Sequence, residues 1–344
     1  MRVRRVWSER HPDRRRRLAR PVISVGNLSV GGTGKSPVVA AIARWLVAQG
    51  ERPSILSRGY RRADSPEGVV VVSDREGVLA GVDRSGDEPL MLARQVPGAA
   101  VCVSPDRYLA GSVAERTLGC TVHILDDGFQ QVQLARDLDV LVTTVGEIPN
   151  GRVIPAGRLR EPIDLASRAH ILVVTDATAG AASAEAWALG ISLSCGVRRA
   201  FAAPIAVGGR EPGKTDRVSF SPETPEKETR SVFPGAQLPV RESIVVAVAG
   251  IAHPERFFDM LRNAGWNTRD AMSLPDHHNY TKADVERIAH KLQQTGATAV
   301  LTTEKDAVRF ETLGELPFAL HAIPLSLQFD PPDVLFDSVR SVLR

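Results

Sequence analysis

At 344 residues, 43% hydrophobic and 24% charged, the chain has the composition of a soluble globular protein of about two domains. Three cysteines, Cys102, Cys120 and Cys195, form neither a disulfide framework nor a metal-ligand pair and are expected to be free, buried thiols in a reducing cytoplasm. The net charge of +3 hides an asymmetry, because residues 1–20 carry nine arginines against Glu9 and Asp13 and leave the rest of the chain slightly acidic.

This basic N-terminal arm, 1–20, lacks the apolar stretch of a secretory signal, and no segment approaches the eighteen or so apolar residues of a membrane span. It suits an anionic surface, either membrane phospholipid or nucleic acid, with a solvated terminus as the plain alternative. Beyond it, short apolar runs alternate with amphipathic segments, the pattern of a parallel α/β architecture. A buried strand is expected over 22–25 and a helix over 38–49, where Val38, Ile42 and Leu46 recur at helical spacing and Gly50 supplies the stop. Further strands are expected over 54–56, 69–72, 99–103, 121–125, 140–143 and 171–174, completing a first domain over 21–207. The stretch 208–242, rich in Gly, Pro, Thr, Glu and Lys, reads as a linker or exposed hairpin. A second, smaller α/β lobe over 243–344 follows, with strands over 244–249 and 299–302 and helices over 254–264 and 282–294.

The strongest local signal is Ser29-Val30-Gly31-Gly32-Thr33-Gly34-Lys35-Ser36. A glycine-rich turn between strand and helix lets backbone N–H groups curl around phosphate oxygens, and the helix N-terminus adds positive potential. Lys35 is placed to reach the β- and γ-phosphates, and the Ser36 hydroxyl to ligate Mg²⁺. The strict pattern has glycine where Ser29 stands; the nearest upstream glycine is Gly26. An apolar strand ending in Asp126-Asp127 supplies carboxylates for the metal, one aspartate for Mg²⁺ and the other for local positioning. Guanine readout has no support: Thr281-Lys282-Ala283-Asp284 follows a polar stretch and reads as a helix start capped by Thr281, and Thr303-Glu304-Lys305-Asp306 has the wrong spacing. ATP is therefore the expected donor.

A kinase also needs a group to deprotonate its acceptor. Asp87 and Glu88 precede an apolar helix, and Asp276-His277-His278 offers imidazoles in the second lobe. On spacing alone, the two carboxylates equally suit a helix N-terminus and His277 a surface or core position.

The stretch from Val25 to Pro37 resembles the signature of the tetraacyldisaccharide 4′-kinase (lipid A 4′-kinase) family. The resemblance runs on through Ser57-Arg58-Gly59-Tyr60, Gly86-Asp87-Glu88, Asp106-Arg107, Asp126-Asp127-Gly128-Phe129-Gln130 and Pro155-Ala156-Gly157-Arg158-Leu159-Arg160-Glu161. It continues with Ala249-Gly250-Ile251, Pro275-Asp276-His277 and Thr303-Glu304-Lys305-Asp306, in the family's order from about 21 to about 310. The family's loop also lacks the first glycine. The resemblance implies a P-loop NTPase-like parallel sheet flanked by helices, a second lobe, and phosphorylation of a lipid A disaccharide precursor with ATP and Mg²⁺ at the cytoplasmic face of the inner membrane. It implies that Lys35 and Ser36 bind phosphate and metal, that Asp126 and Asp127 form the metal site, and that Asp87 is the base with His277 as its partner. It further implies that Arg160 offsets charge on the transferred group, while Glu88 and Glu161 sit beside these residues; His278 remains a rival to His277. Members of the family carry an apolar N-terminal helix where this chain has its arginine arm. The arm is expected to bind anionic lipid in its place, unless translation starts upstream of Met1.

Two other classes compete: a P-loop ATPase switch acting on a protein partner, and a nucleic-acid-dependent ATPase. The first needs no acceptor base. The second lacks any recognisable nucleic-acid module, so neither a nucleic-acid nor a protein partner is expected.

Overall fold

The computed structural model describes residues 15–59, 68–147, 151–207 and 239–343. In chain order the strands are β1 (Val22–Gly26), β2 (Pro53–Ser57), β3 (Val70–Ser73), β4 (Ala100–Val103), β5 (Val122–Asp126), β6 (Leu138–Thr144), β7 (Ile171–Thr175) and β8 (Leu193–Phe201). They continue as β9 (Ile205–Val207), β10 (Ile244–Ala249), β11 (Asn267–Ser273), β12 (Ala299–Thr303), β13 (Leu320–Ile323) and β14 (Leu325–Asp330). The helices are α1 (Lys35–Ala48), α2 (Val82–Ser85), α3 (Asp87–Gln95), α4 (Arg107–Arg116), α5 (Ala179–Ala188), α6 (Pro254–Asn263), α7 (Lys282–Thr295), α8 (Glu304–Phe310) and α9 (Asp333–Ser341).

The chain divides into two compact units, one of residues 1–200 with 325–344 and the other of residues 201–324. In the first, nine strands run in the order β14-β8-β7-β6-β1-β5-β2-β4-β3. The pairs from β8 across to β4 are parallel, and β3 is antiparallel to β4. Strands β1, β2, β5 and β7 are buried along their whole length, because helices cover both faces of such a sheet; this is why apolar residues predominate in them without a polar alternation. The register aligns Val25 with Asp126 on one side and with Val140 on the other. Whatever follows β1 therefore emerges beside Asp126, at the centre of the sheet's carboxyl edge, where ligands bind in open α/β sheets. Helix α1 buries Val38, Val39, Ile42, Ala43 and Leu46, and Gly50 takes the left-handed turn after it (φ 84°). It starts at Lys35, earlier than the apolar spacing indicates, because the phosphate loop itself feeds the first turn.

The second unit holds a sheet of order β11-β10-β12-β13-β9, parallel except where β9 pairs with β13. Helix α7 opens with a reciprocal capping box between Thr281 and Asp284, as the sequence suggested.

Three expected boundaries need correction. The first domain ends at 200 rather than 207, since β9 pairs with β13 in the sheet of the second unit. The second lobe does not extend over 243–344, since residues 325–343 return to the first unit. There β14 lies beside β8, Asp330 Oδ2 accepts the Ala179 N–H at 2.9 Å, and Phe336 of α9 stacks on Trp45 of α1 with centroids 5.4 Å apart. The aromatic and apolar face of this segment is buried by α1, which no local pattern announces. The basic arm is also shorter than 1–20. Arg16 makes a bidentate pair with Asp106 at 2.7 and 2.9 Å, Arg17 reaches Asp137 at 2.9 Å, and Leu18 is buried against Gly111. Residues 1–14, Tyr60 and 208–238 of the expected linker lie outside the described residues. Cys102, Cys120 and Cys195 are free and buried, and burial pushes their thiols up to about 12, 11 and 12. No helix among the described residues is long and apolar enough to cross a membrane.

Candidate active site

The loop from Asn27 to Gly34 joins β1 to α1. Gly31 (φ 123°) and Gly34 (φ 83°) take backbone conformations that a side chain would strain, and they turn the loop back onto the helix. Gly34 caps α1 without a side-chain acceptor, so the helix's first amides have no side-chain cap and stand ready for an anion. Thr175, the last residue of β7, backs the loop through its hydroxyl to Thr33 O at 3.4 Å. The outer limb is zipped to the segment 158–160: Val30 N donates to Arg158 O at 2.9 Å and Arg160 N to Leu28 O at 2.6 Å. Ser29 bridges Leu159 in this small ladder. The position where the strict pattern has glycine is thus an extended, paired residue rather than part of the turn.

That ladder brings Arg160 to the loop. Arg160 Nη1 donates to Asp127 Oδ2 at 2.7 Å, and Lys35 Nζ lies 3.5 Å from the other oxygen of the same carboxylate. Burial works against the Asp127 charge, but Lys35 and Arg160 together hold its carboxyl below the usual range. Its neighbour is driven the other way. Asp126, 4% exposed, is pushed up to about 7, first by burial and then by the charges of Glu88 and Asp127; Lys35 and the Ser57 hydroxyl at 3.1 Å oppose this. The crowded carboxylates at the end of β5, together with the Ser36 hydroxyl on the first turn of α1, are hard oxygen donors suited to a divalent cation. Among the described residues no three His, Cys, Asp or Glu side chains form a ready-made metal cage. Mg²⁺ in phosphoryl-transfer sites uses one or two protein oxygens, with phosphate and water completing its shell, so this donor set fits it.

Asp87 and Glu88 open α3, with Asp87 buried and its Oδ1 accepting the Glu88 N–H at 2.9 Å. The influence of Glu88 on Asp126 puts this helix start within electrostatic reach of the end of β5. Glu161 is buried beside Arg160, 3.4 Å from Gln130 Nε2. The first unit therefore brings together Ser29, Val30, Gly31, Gly32, Thr33, Gly34, Lys35, Ser36, Asp126, Asp127 and Arg160, with Glu88 facing Asp126.

His277 and His278 belong to the second unit and differ in employment. His278 Nε2 bonds the Asp284 carboxylate at 3.0 Å and so helps hold the start of α7. His277, with φ 62°, lies between Arg309 and Lys305, its Nδ1 2.9 Å from Arg309 Nη2 and its Nε2 3.2 Å from Lys305 Nζ. A guanidinium and an ammonium both only donate, so each ring nitrogen of His277 faces a donor, and Asp276 Oδ2 lies 3.7 Å from Nε2. His277 is thus the imidazole flanked by cations, and His278 the one committed to the helix cap.

Three functional neighbours had no role assigned from sequence. Arg107 is 6% exposed and donates to Ser104 O at 2.8 Å; burial brings its guanidinium down to about 10, Asp126 opposing and Arg58 adding to the fall. Arg58 and Arg107 both stood inside recognisable sequence blocks, and that was their signal. Thr175 had none, because only the strand order brings the end of β7 to the loop.

A phosphate loop at the centre of a parallel sheet, a carboxylate pair at the next strand's end and converging Lys35 and Arg160 define a P-loop nucleotide-binding phosphotransferase. The comparisons narrow this. Residues 1–344 match the family described as tetraacyldisaccharide-1-P 4′-kinase (LpxK), and the chain belongs to that family. It is similar to a tetraacyldisaccharide 4′-kinase of Pelobacter propionicus, 39% identical over 96% of this chain and 85% of that one. It is also similar to one of Geobacter metallireducens, 37% identical over 95% and 90%. A crystal structure of LpxK from Aquifex aeolicus in complex with ATP superposes with a TM-score of 0.73 at 27% identity, covering 99% of this chain and 94% of that one.

Proposed function

We propose that this chain transfers the γ-phosphoryl group of ATP to the 4′-hydroxyl of a tetraacyldisaccharide 1-phosphate, a step of lipid A biosynthesis. The observation that carries the reading is the convergence of Lys35 and Arg160 on Asp127 at the mouth of the phosphate loop, in a chain of this family. Loop amides from Val30 to Ser36 cradle the triphosphate, and the α1 N-terminus favours its charge. Lys35 and Arg160 stand where negative charge develops on the equatorial oxygens, and fixed cations aimed at that charge lower the barrier. Ser36 and Asp126 would hold Mg²⁺, which would supply positive charge against the phosphates; Asp127 holds Lys35 and Arg160 in register. Asp87 takes the proton of the 4′-hydroxyl as that oxygen bonds to the γ-phosphorus and the bond to the bridging oxygen of the departing ADP breaks. Within the second unit, Arg309 donates to His277 Nδ1 at 2.9 Å and orients the ring.

The acceptor is a membrane lipid, so the chain works at the cytoplasmic face of the inner membrane, with its basic N-terminal residues attracted to anionic phospholipid. The test is label transfer from γ-labelled ATP to tetraacyldisaccharide 1-phosphate in detergent micelles. Wild type should label the 4′ position, and Lys35→Ala and Asp87→Ala should each lose at least about 10²-fold in kcat. ATP turnover with no labelled lipid would sink the reading.

A further inference from the structure

Beneath the phosphate loop, the side chain of Asn27 reaches both limbs. The residue follows β1 directly and is fully buried. Its Nδ2 donates to Ser29 O at 2.8 Å on the outgoing limb and to Thr33 Oγ1 at 3.1 Å on the returning one. The amide is not reversible: turned over, Oδ1 would face the Ser29 carbonyl, two acceptors with no proton between them. The backbone carbonyl of Asn27 accepts from Gln130 Nε2 at 2.9 Å, which ties the turn after β5 to the same residue. The remaining polar atom, Oδ1, is shut away from solvent with no hydrogen-bond partner among the described residues. A buried acceptor without a donor is costly, and an apolar side chain would avoid the penalty. The amide is tolerated for what its donors do.

Those donors act where the loop departs from the strict pattern. Ser29 pairs with Leu159, so the outgoing limb is extended and the turn is compressed into Gly31–Gly34. A loop built this way needs a tie across its base. We propose that Asn27 is a positioning residue of the phosphate loop, bridging Ser29 and Thr33 so that the loop amides converge on the triphosphate, and that it thereby sets ATP affinity without touching the nucleotide. This rests on the reading of the loop as the ATP site.

The experiment is isothermal titration of ATP into the full chain without acceptor, for wild type, Asn27→Ala, Thr33→Val and the double variant. Steady-state kinetics in both substrates and Tm are measured alongside. Each single variant should weaken ATP binding about tenfold, the effect of losing one buried polar bridge of ordinary strength. The KM for the lipid should stay within about twofold, and the double variant should bind no more weakly than the worse single, because both substitutions break one bridge. Thr33→Val is nearly isosteric and keeps the test decisive if Asn27→Ala does not fold. Unchanged ATP affinity in Thr33→Val, additive losses in the double variant, or a loss that follows Tm and raises both KM values equally would overturn the proposal. Wild-type protein that binds ATP but labels no lipid would defeat the kinase reading and leave this comparison standing.

Discussion

Asp126 and Asp127 are adjacent in sequence and opposite in electrostatic setting. Burial and Glu88 push the first towards neutrality; Lys35 and Arg160 keep the second ionised. The left-handed backbone of Asp127 (φ 55°) is what turns the two side chains to different surroundings, and Asp tolerates that conformation better than most residues. Arg160 presents a planar fork to Asp127 that a lysine ammonium does not reproduce. Arg160→Lys should therefore lower kcat by about 10²-fold and Arg160→Ala by about 10³-fold. The ATP Kd should change far less than kcat in both, as steady-state kinetics beside nucleotide titration will show. If Asp127 acts by holding Arg160, adding Asp127→Asn to Arg160→Ala should cost much less than it does in wild type. The glycine loop, Lys35 and Asp126 were legible in the sequence because their chemistry is written in consecutive residues. Thr175 was not assignable, since it meets the loop only through the order of strands in the sheet, and Arg58 and Arg107 stood in recognisable blocks that assign them no role.

Among the elements, α7 shows a signal that is fully local. Thr281 caps the helix and Asp284 reaches back to the Thr281 N–H at 2.8 Å, while His278 and Arg287 bind the same carboxylate. Against a burial penalty, these bonds hold the Asp284 carboxyl well below its usual range. A depressed carboxylate contributes stability that is fully present above its unfolded pKa of about 3.9 and is lost as pH falls towards the folded value. Asp284→Asn should cost about 1–2 kcal/mol at pH 7. Its deficit should stay constant down to about pH 5 and shrink below pH 4, as Tm across that range will report; a pH-independent deficit would assign the stabilisation to packing rather than charge. Helix α7 and the buried strands other than β13 could be read beforehand because cap and periodicity are sequence-local. Strands β8, β11 and β14 could not. They are partly exposed, with mixed sequences such as Asn267-Thr268-Arg269-Asp270, and become strands only because a neighbour offers an edge.

For the molecule as a whole, the corrected boundaries separate two functions that the sequence merged in one basic arm. Arg16 and Arg17 are paired with Asp106 and Asp137, and Leu18 packs with Cys102, Ala110 and Leu134 in the core under α4. Residues 15–20 are thus part of the fold of the first unit. The arginines ahead of them, Arg2, Arg4, Arg5, Arg10 and Arg14, outnumber Glu9 and Asp13, a net excess worth on the order of 3 kcal/mol at about 1 kcal/mol per basic residue near an anionic surface. Deleting 2–14 should therefore weaken binding to phosphatidylglycerol-containing vesicles by about 10²-fold at low salt, and the difference should fade as salt screens it. The same deletion should leave Tm and phosphorylation of micellar lipid unchanged. Deleting 2–20 should also lower Tm, because it removes the Arg16–Asp106 pair and opens a cavity where Leu18 sits. If vesicle binding survives the shorter deletion, membrane attraction resides in the folded body. If the longer deletion leaves Tm untouched, residues 15–20 are decoration on the first unit rather than part of its core.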